Sequence, residues 1–219
     1  MKAKYSQDYY TIHLTGARSS ANEILGLIST FYMPSSVIDF GCGSGIWIKI
    51  AKEIFHAKVL GVDQHSYSDI DMFINSCEYC SHDLETPLPA KQKYDLAISV
   101  EVAEHITEKY ADIFINSLCD HSDVILFSAA IPMQGGTGHV NEQPCSYWAD
   151  KFKQHGYSAL DCLRPALWNS RNVEIWYRNN SILYVSESKL EELIKRAPFH
   201  AYPLDVIHPQ MMNRIIGRL

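Results

Sequence analysis

The chain has 219 residues, 47% hydrophobic and 20% charged, and a formal net charge of −6. These are ordinary proportions for one globular domain with a sizeable core. They hold no apolar run near 18 residues, no apolar stretch after the opening MKAKYSQDYY and no basic cluster, which weighs against a membrane span, a secretory signal and a nucleic-acid partner.

Six cysteines at irregular spacings suit free thiols in a reducing compartment, so the expected location is cytoplasmic. Cys77 and Cys80 form a single CxxC, and a structural zinc usually needs a second pair.

Ile24, Leu25, Ile28 and Phe31 recur at helical spacing and Pro34 follows, which predicts a helix over 20–32 covering a cofactor site. A β-branched strand over 36–40 then runs into a glycine turn and a helix over 45–56. Strands follow near 58–62, 78–82, 94–100 and 122–129, with a helix over 102–119 and an undecided segment at 64–76. Such alternation predicts an α/β fold, a mostly parallel sheet with helices on both faces. The glycine-rich stretch 131–143 reads as a long loop, and Pro144 opens a helix running to about His155. Strands near 158–163 and 180–185 complete seven, the last antiparallel, while 172–179 is left between helix and strand. Ser188 with Glu191 reads as a capping box for a further helix. One domain, 1–219, is expected, with a helical cap at 1–35, the sheet core at 36–185, and a C-terminal helix and tail at 186–219.

The chemistry starts at VIDFGCGSG, residues 37–45. Glycines let backbone approach a ligand, and a strand–turn–helix of this kind is where open α/β sheets bind nucleotide-like cofactors. A dinucleotide fingerprint needs a third glycine at the sixth position, but counting from Gly41 that position is Ile46. Asp39 would repel a pyrophosphate and attract a cation. The DxGxGxG run resembles the first motif of the class I S-adenosylmethionine (SAM)-dependent methyltransferases, whose cofactor carries an ammonium and a sulfonium and no phosphate.

Further segments extend the resemblance in the same order, over residues 37–105. Strand KVLGVD ends in Asp63, about 20 residues on, where a carboxylate can accept ribose hydroxyls. Asp83 with Leu84 matches the family's adenine-reading acid and its apolar neighbour; the alternative for Asp83 is a turn residue. YDLAISV matches the strand that lines the transfer cleft. The resemblance implies a Rossmann-like fold, SAM as cofactor, and cofactor contacts from Asp39, Gly41, Cys42, Gly43, Gly45, Asp63, Gln64, Asp83, Leu84 and Ser99.

Methyl transfer needs the nucleophile held in line and helped to lose its proton. Two segments should face the cleft. VEVAEH gives Glu101, Glu104 and His105, which share one face if a helix begins near Glu101, and GGTGHVNEQ gives His139. A neutral histidine is a suitable base, so His139, Glu101 and His105 are the catalytic candidates. The bland alternative for the second segment is a loop held by its own hydrogen bonds. Glu101, Glu104, His105 and His139 also resemble the ligand set of two metal-using groups, the small-RNA 2′-O-methyltransferases and the ubiquinone-pathway O-methyltransferases. That likeness implies a divalent metal; the same pattern in metal-free relatives lines the pocket or caps a helix. GGTGHVNEQPxxYW is similar to bacterial methyltransferases placed with sugar pathways. The expected function is methylation of a hydroxyl, with an amine as second choice, on a small-molecule acceptor such as a sugar or secondary metabolite. The alternatives are RNA 2′-O-methylation and a non-catalytic SAM-binding or partner-binding protein. Oligomeric state is not legible.

Overall fold

The computed structural model describes residues 7–89, 92–197 and 204–218. The first six residues of the expected helical cap, and residues 198–203 and 219 of the tail, lie outside this description. One sheet holds seven strands: β1 Ser36–Phe40, β2 Lys58–Asp63, β3 Tyr79–Ser81, β4 Leu96–Val100, β5 Val124–Ser128, β6 Tyr157–Leu160 and β7 Ile182–Ser186. Their spatial order is β3-β2-β1-β4-β5-β7-β6. Every pairing is parallel except those of β7, which runs antiparallel to both β5 and β6.

Alternation along the strands explains the layering, because successive side chains of a strand point to opposite faces. Val37, Leu96, Ile98, Val124 and Leu126 join one buried cluster, and Ile38, Ala97, Ile125 and Phe127 join the other. Apolar residues thus occupy both phases of the central strands, which are buried on both sides. The first face is covered by α1 Gln7–Ser29 and α2 Ile46–Phe55, with α5 Leu163–Leu167, α6 Ile175–Asn180 and α7 Glu187–Ile194. The second is covered by α3 Ala111–His121 and α4 Cys145–Gln154, with α8 Pro209–Ile216. No helix among the described residues is long and apolar enough to cross a membrane.

Several expectations are corrected. The helix expected over 102–119 forms only from Ala111; before it lie two short 3₁₀ turns, Ala103–His105 and Glu108–Tyr110. The Glu104 carbonyl accepts from the amides of Val140 (2.9 Å) and Asn141 (3.0 Å), partners outside any helix. The first helix begins well before residue 20, and 172–179 resolves as α6. Ser186, not Ser188, caps α7, so the capping box is absent. The undecided segment 64–76 carries a 3₁₀ turn at Tyr67–Asp69, and the unassigned tail supplies α8. All six cysteines are free.

Candidate active site

At the C-terminal ends of β1 and β4 lies a cavity of about 270 Å³. Its floor is the glycine turn. Gly41, Gly43 and Gly45 have φ of 80°, 53° and 81°, the left-handed region that glycine enters without penalty. A Cβ on Gly41 would lie 2.5 Å from Val102, whereas one on Gly43 would meet nothing within 4 Å. The turn is therefore packed behind and open in front. Asp39, Gly41, Cys42 and Gly43 line the cavity.

Asp39 is 2% exposed and has no hydrogen-bonding or basic partner among the described residues. Burial, reinforced by the Asp63 charge, holds its carboxyl well above the usual carboxylate range. A buried carboxyl left without a partner on a cavity wall fits a cationic ligand. Asp63 behaves oppositely. Burial works against its ionisation, but His65 (3.0 Å) and the amides of Gly43 (2.8 Å) and Gln64 (2.7 Å) outweigh that and hold its pKa below the usual range. Asp63 thus clamps the glycine turn from the end of β2.

Other sequence candidates lie outside the cavity lining. Gly45 caps α2. Gln64 is exposed and contributes its backbone amide to Asp63. Asp83 is exposed and accepts from the Glu85 amide (3.0 Å), a turn role, while Leu84 is buried in the α3-side core. Ser99 is fully buried within β4, and its hydroxyl has no partner among the described residues.

Glu101, Glu104, His105 and His139 all line the cavity. Glu101 does not begin a helix. It sits at φ 54°, and its amide donates to the Ser128 carbonyl (2.9 Å), extending the β4–β5 seam by one residue. Left-handed backbone at a side-chain-bearing residue costs about 1–2 kcal/mol, so neighbouring contacts must hold it. Gln134 (2.8 Å) and Asn180 (3.3 Å) donate to the two Glu101 oxygens, and Asn180 also donates to Gln134 (2.9 Å). Burial pushes the Glu101 carboxyl up against the pull of these amides.

Glu104 is fully buried, and neither of its oxygens has a hydrogen-bonding partner among the described residues. Burial and the Glu101 charge hold it well above the carboxylate range, opposed by the nearby Glu104 and Ala130 amides. His139 Nε2 lies 3.8 Å from Glu104 Oε1. Glu142 Oε1 sits 2.8 Å from His139 Nδ1 and also takes the Gly135 amide at 2.7 Å. A carboxylate only accepts, so Nδ1 carries a proton, and in the neutral ring the lone pair is on Nε2. His105 Nδ1 faces the Gly138 carbonyl at 3.2 Å, and its ring crosses that of His139 edge to face at 4.9 Å. Burial, then the His139 charge, lowers the His105 pKa and favours the neutral ring. Glu104, His105 and His139 bring one ligand atom each within 4.8 Å of one another; Glu101 is turned away to its amides. Gln143 donates to Asn141 (3.0 Å), and neither lines the cavity.

A family model described as Methyltransferase domain matches residues 18–200. The chain belongs to this methyltransferase family. It is a SAM-dependent methyltransferase of class I, Rossmann-like fold. No curated protein matches it by sequence. Among solved structures, the methyltransferase is similar to the sugar N-methyltransferase KedS8 from Streptoalloteichus sp ATCC 53650, with a TM-score of 0.65 and 10% identity over 85% of this chain and 94% of that one. It is also similar to the magnesium protoporphyrin IX methyltransferase of Synechocystis PCC 6803 with bound SAM (TM-score 0.56, 16% identity, 85% and 87% covered). A third is an O-methyltransferase family protein from Burkholderia thailandensis (TM-score 0.56, 11% identity), of which the chain covers 58% and which covers 82% of the chain.

The far wall of the methyltransferase's cavity is aromatic: Trp47 and Tyr177 meet edge to face at 5.1 Å, and Trp176 lies beside them. Arg214 of α8 lies over Trp176, 5.3 Å from the ring centroid. Gln134, Glu142, Asn180 and Arg214 are site residues that sequence reading missed. For Gln134, Asn180 and Arg214 the signal is tertiary, since each acts through a partner distant in the chain or sits on the short α8, whereas Glu142 acts on His139 three positions away.

Proposed function

We propose that this methyltransferase methylates a hydroxyl of a small polar acceptor, with His139 as general base and Glu142 as the group that orients it. The observation that carries this is the Glu142–His139 pair at 2.8 Å, which leaves Nε2 facing the cavity behind the glycine turn. SAM supplies an activated methyl on a sulfonium. Gly41, Cys42 and Gly43 give that cofactor its backbone approach, Asp39 offers a buried carboxyl to its ammonium, and Asp63 faces its ribose hydroxyls. Asp83 and Leu84 are assigned to the adenine end. His139 Nε2 takes the hydroxyl proton as the acceptor oxygen becomes nucleophilic, and Glu142 stabilises the imidazolium that results. The aromatic wall excludes water from this proton transfer. Six free thiols keep the reading in a reducing, cytoplasmic setting.

The test is a SAM-dependent acceptor screen scored by release of S-adenosylhomocysteine. His139→Ala should lower kcat by about 10²–10⁴-fold while SAM affinity changes little. Turnover equal to wild type would remove His139 from catalysis.

A second reading has its own observation, the convergence of Glu104, His105 and His139. Two buried carboxylate oxygens without partners beside two imidazoles fit a divalent cation, which would ionise Glu104 and supply Lewis acidity to the acceptor oxygen. In that case EDTA abolishes transfer and added Mn restores it; transfer indifferent to both leaves the metal-free base.

A further inference from the structure

The cavity is electrostatically two-sided. Its inner surface carries Asp39, Glu101 and Glu104, and its one lysine or arginine among the described residues is Arg214, at the mouth. Arg214 has no hydrogen-bond or ion-pair partner among the described residues, and its guanidinium lies over the Trp176 ring. An exposed arginine earns attention only if something holds it in place, and α8 is held at both ends and along one side. Met211 and Ile215 are buried in the core, one helical turn apart. His208 caps the helix by accepting from the Gln210 amide, and the His208 amide donates to Asn179 (2.7 Å). Asn179 donates in turn to Asn180 (2.7 Å), the residue that holds Glu101. Arg178 donates to Gln210 (2.7 Å), and Arg218 donates to the Gln134 carbonyl. Arg214 is thus a guanidinium over an aromatic face, on a helix tied to Glu101 of the cavity lining by an asparagine pair.

An unpaired guanidinium presents up to five donors in a planar fork that matches a carboxylate or phosphate. Packing over Trp176 restrains the fork, so less side-chain freedom is lost when an anion docks. The inner acids do not cancel this. Asp39 and Glu104 are buried inside the cavity and neither pairs with Arg214, which is exposed.

We propose that the acceptor is an anion: a small molecule bearing a carboxylate or phosphate that Arg214 binds at the cavity mouth, while its methylatable hydroxyl reaches His139 inside. Trp176, Trp47 and Tyr177 then cover the apolar or ring portion between the two ends. The inference rests on the O-methylation reading and narrows its substrate class. It assigns Arg214 to recognition of the acceptor, away from the glycine turn and Asp63.

The test uses the full chain saturated with S-adenosylhomocysteine for binding and with SAM for turnover. The probes are hydroxybenzoates and hydroxycinnamates, each beside its primary amide, and hexose phosphates, each beside its parent hexose. The expected result is a preference for the charged member of at least one pair by about 10–100-fold in affinity and in kcat/KM, the scale of a charge-assisted hydrogen-bonded pair. The preference should shrink as salt rises. Whether the acid or the phosphate pairs carry it tells the two anions apart. Arg214→Gln should collapse the preference towards equality, and Arg214→Lys should keep part of it, since charge survives and the fork does not. Unchanged thermal unfolding of both variants controls for folding. Equal binding of charged and neutral members, a preference that survives Arg214→Gln, or no binding by any probe overturns the proposal. If neutral hydroxyl compounds are methylated as well as anionic ones, only the anion inference fails. If S-adenosylhomocysteine itself does not bind, the methylation reading fails with it.

Discussion

His139 and Glu142 stand three positions apart, and the chain folds so that one carboxylate oxygen accepts hydrogen bonds from Nδ1–H and from the Gly135 amide. Glu142→Gln keeps the shape and removes the charge, so kcat should fall by about 10–100-fold with KM little moved. Steady-state kinetics on both variants check this; an unchanged kcat removes Glu142 from the mechanism, and Glu142→Asp should recover part of the loss. Asp39 gives a pH signature. Its folded pKa is raised, so its contribution to stability is fully present below the ordinary carboxylate range and is lost as pH rises through the raised value. The titratable groups facing it are Asp63 on β2 and the Cys42 thiol, itself pushed up by burial and by Asp39. A bound cation favours ionised Asp39, so the gain in Tm from added SAM should grow with pH across that window. Asp39→Asn should flatten the trend; a gain in Tm that stays constant across that window in the wild type contradicts the assignment. Asp39, Gly41, Gly43 and His139 were legible as cavity residues because their motifs are local in sequence. Gln134 was not, because its partners Glu101 and Asn180 arrive from elsewhere in the fold; Glu142 was missed although its partner His139 stands three positions away.

At the scale of elements, the glycine turn and the asparagine-tied α8 do the positioning. Gly41→Ala would force a Cβ to 2.5 Å from Val102 at a φ of 80°. A loss of about 1–3 kcal/mol in urea denaturation is expected, together with weaker SAM binding. An unchanged midpoint and affinity would show the turn tolerates a side chain. On the opposite side of α8, Arg164 pairs with Asp161 at 2.6 Å, both buried, and donates to the Leu204 carbonyl at 2.8 Å. Asp161→Asn should cost about 3–5 kcal/mol by stranding a buried guanidinium. Loss of under 1 kcal/mol would mean that backbone carbonyls alone satisfy Arg164.

Strands were readable because long apolar runs in both phases mark central strands of a covered sheet. The helix expected from residue 102 was misread for a specific reason: the Glu104 carbonyl is taken by Val140 and Asn141 from the loop after β5, so α-helical hydrogen bonding starts only at Ala111. Nothing in ITEKYADIF announces that competition. Likewise α8 has eight residues and just two buried apolar ones, too few for periodicity to register.

Across the whole molecule, the parallel strands direct their C-terminal ends at one cavity, and the β7 reversal brings α6 and its Asn180 back beside the end of β4. The result is a site with buried acids inside and a cation at its rim, suited to holding a positively charged nucleoside and a polar acceptor together. Titration calorimetry of the purified chain with SAM, beside Asp63→Ala, tests this most directly. Saturable binding to the wild type, weakened by about 10–100-fold in the variant, is the expected result. No measurable affinity of the wild type for SAM or S-adenosylhomocysteine would contradict it.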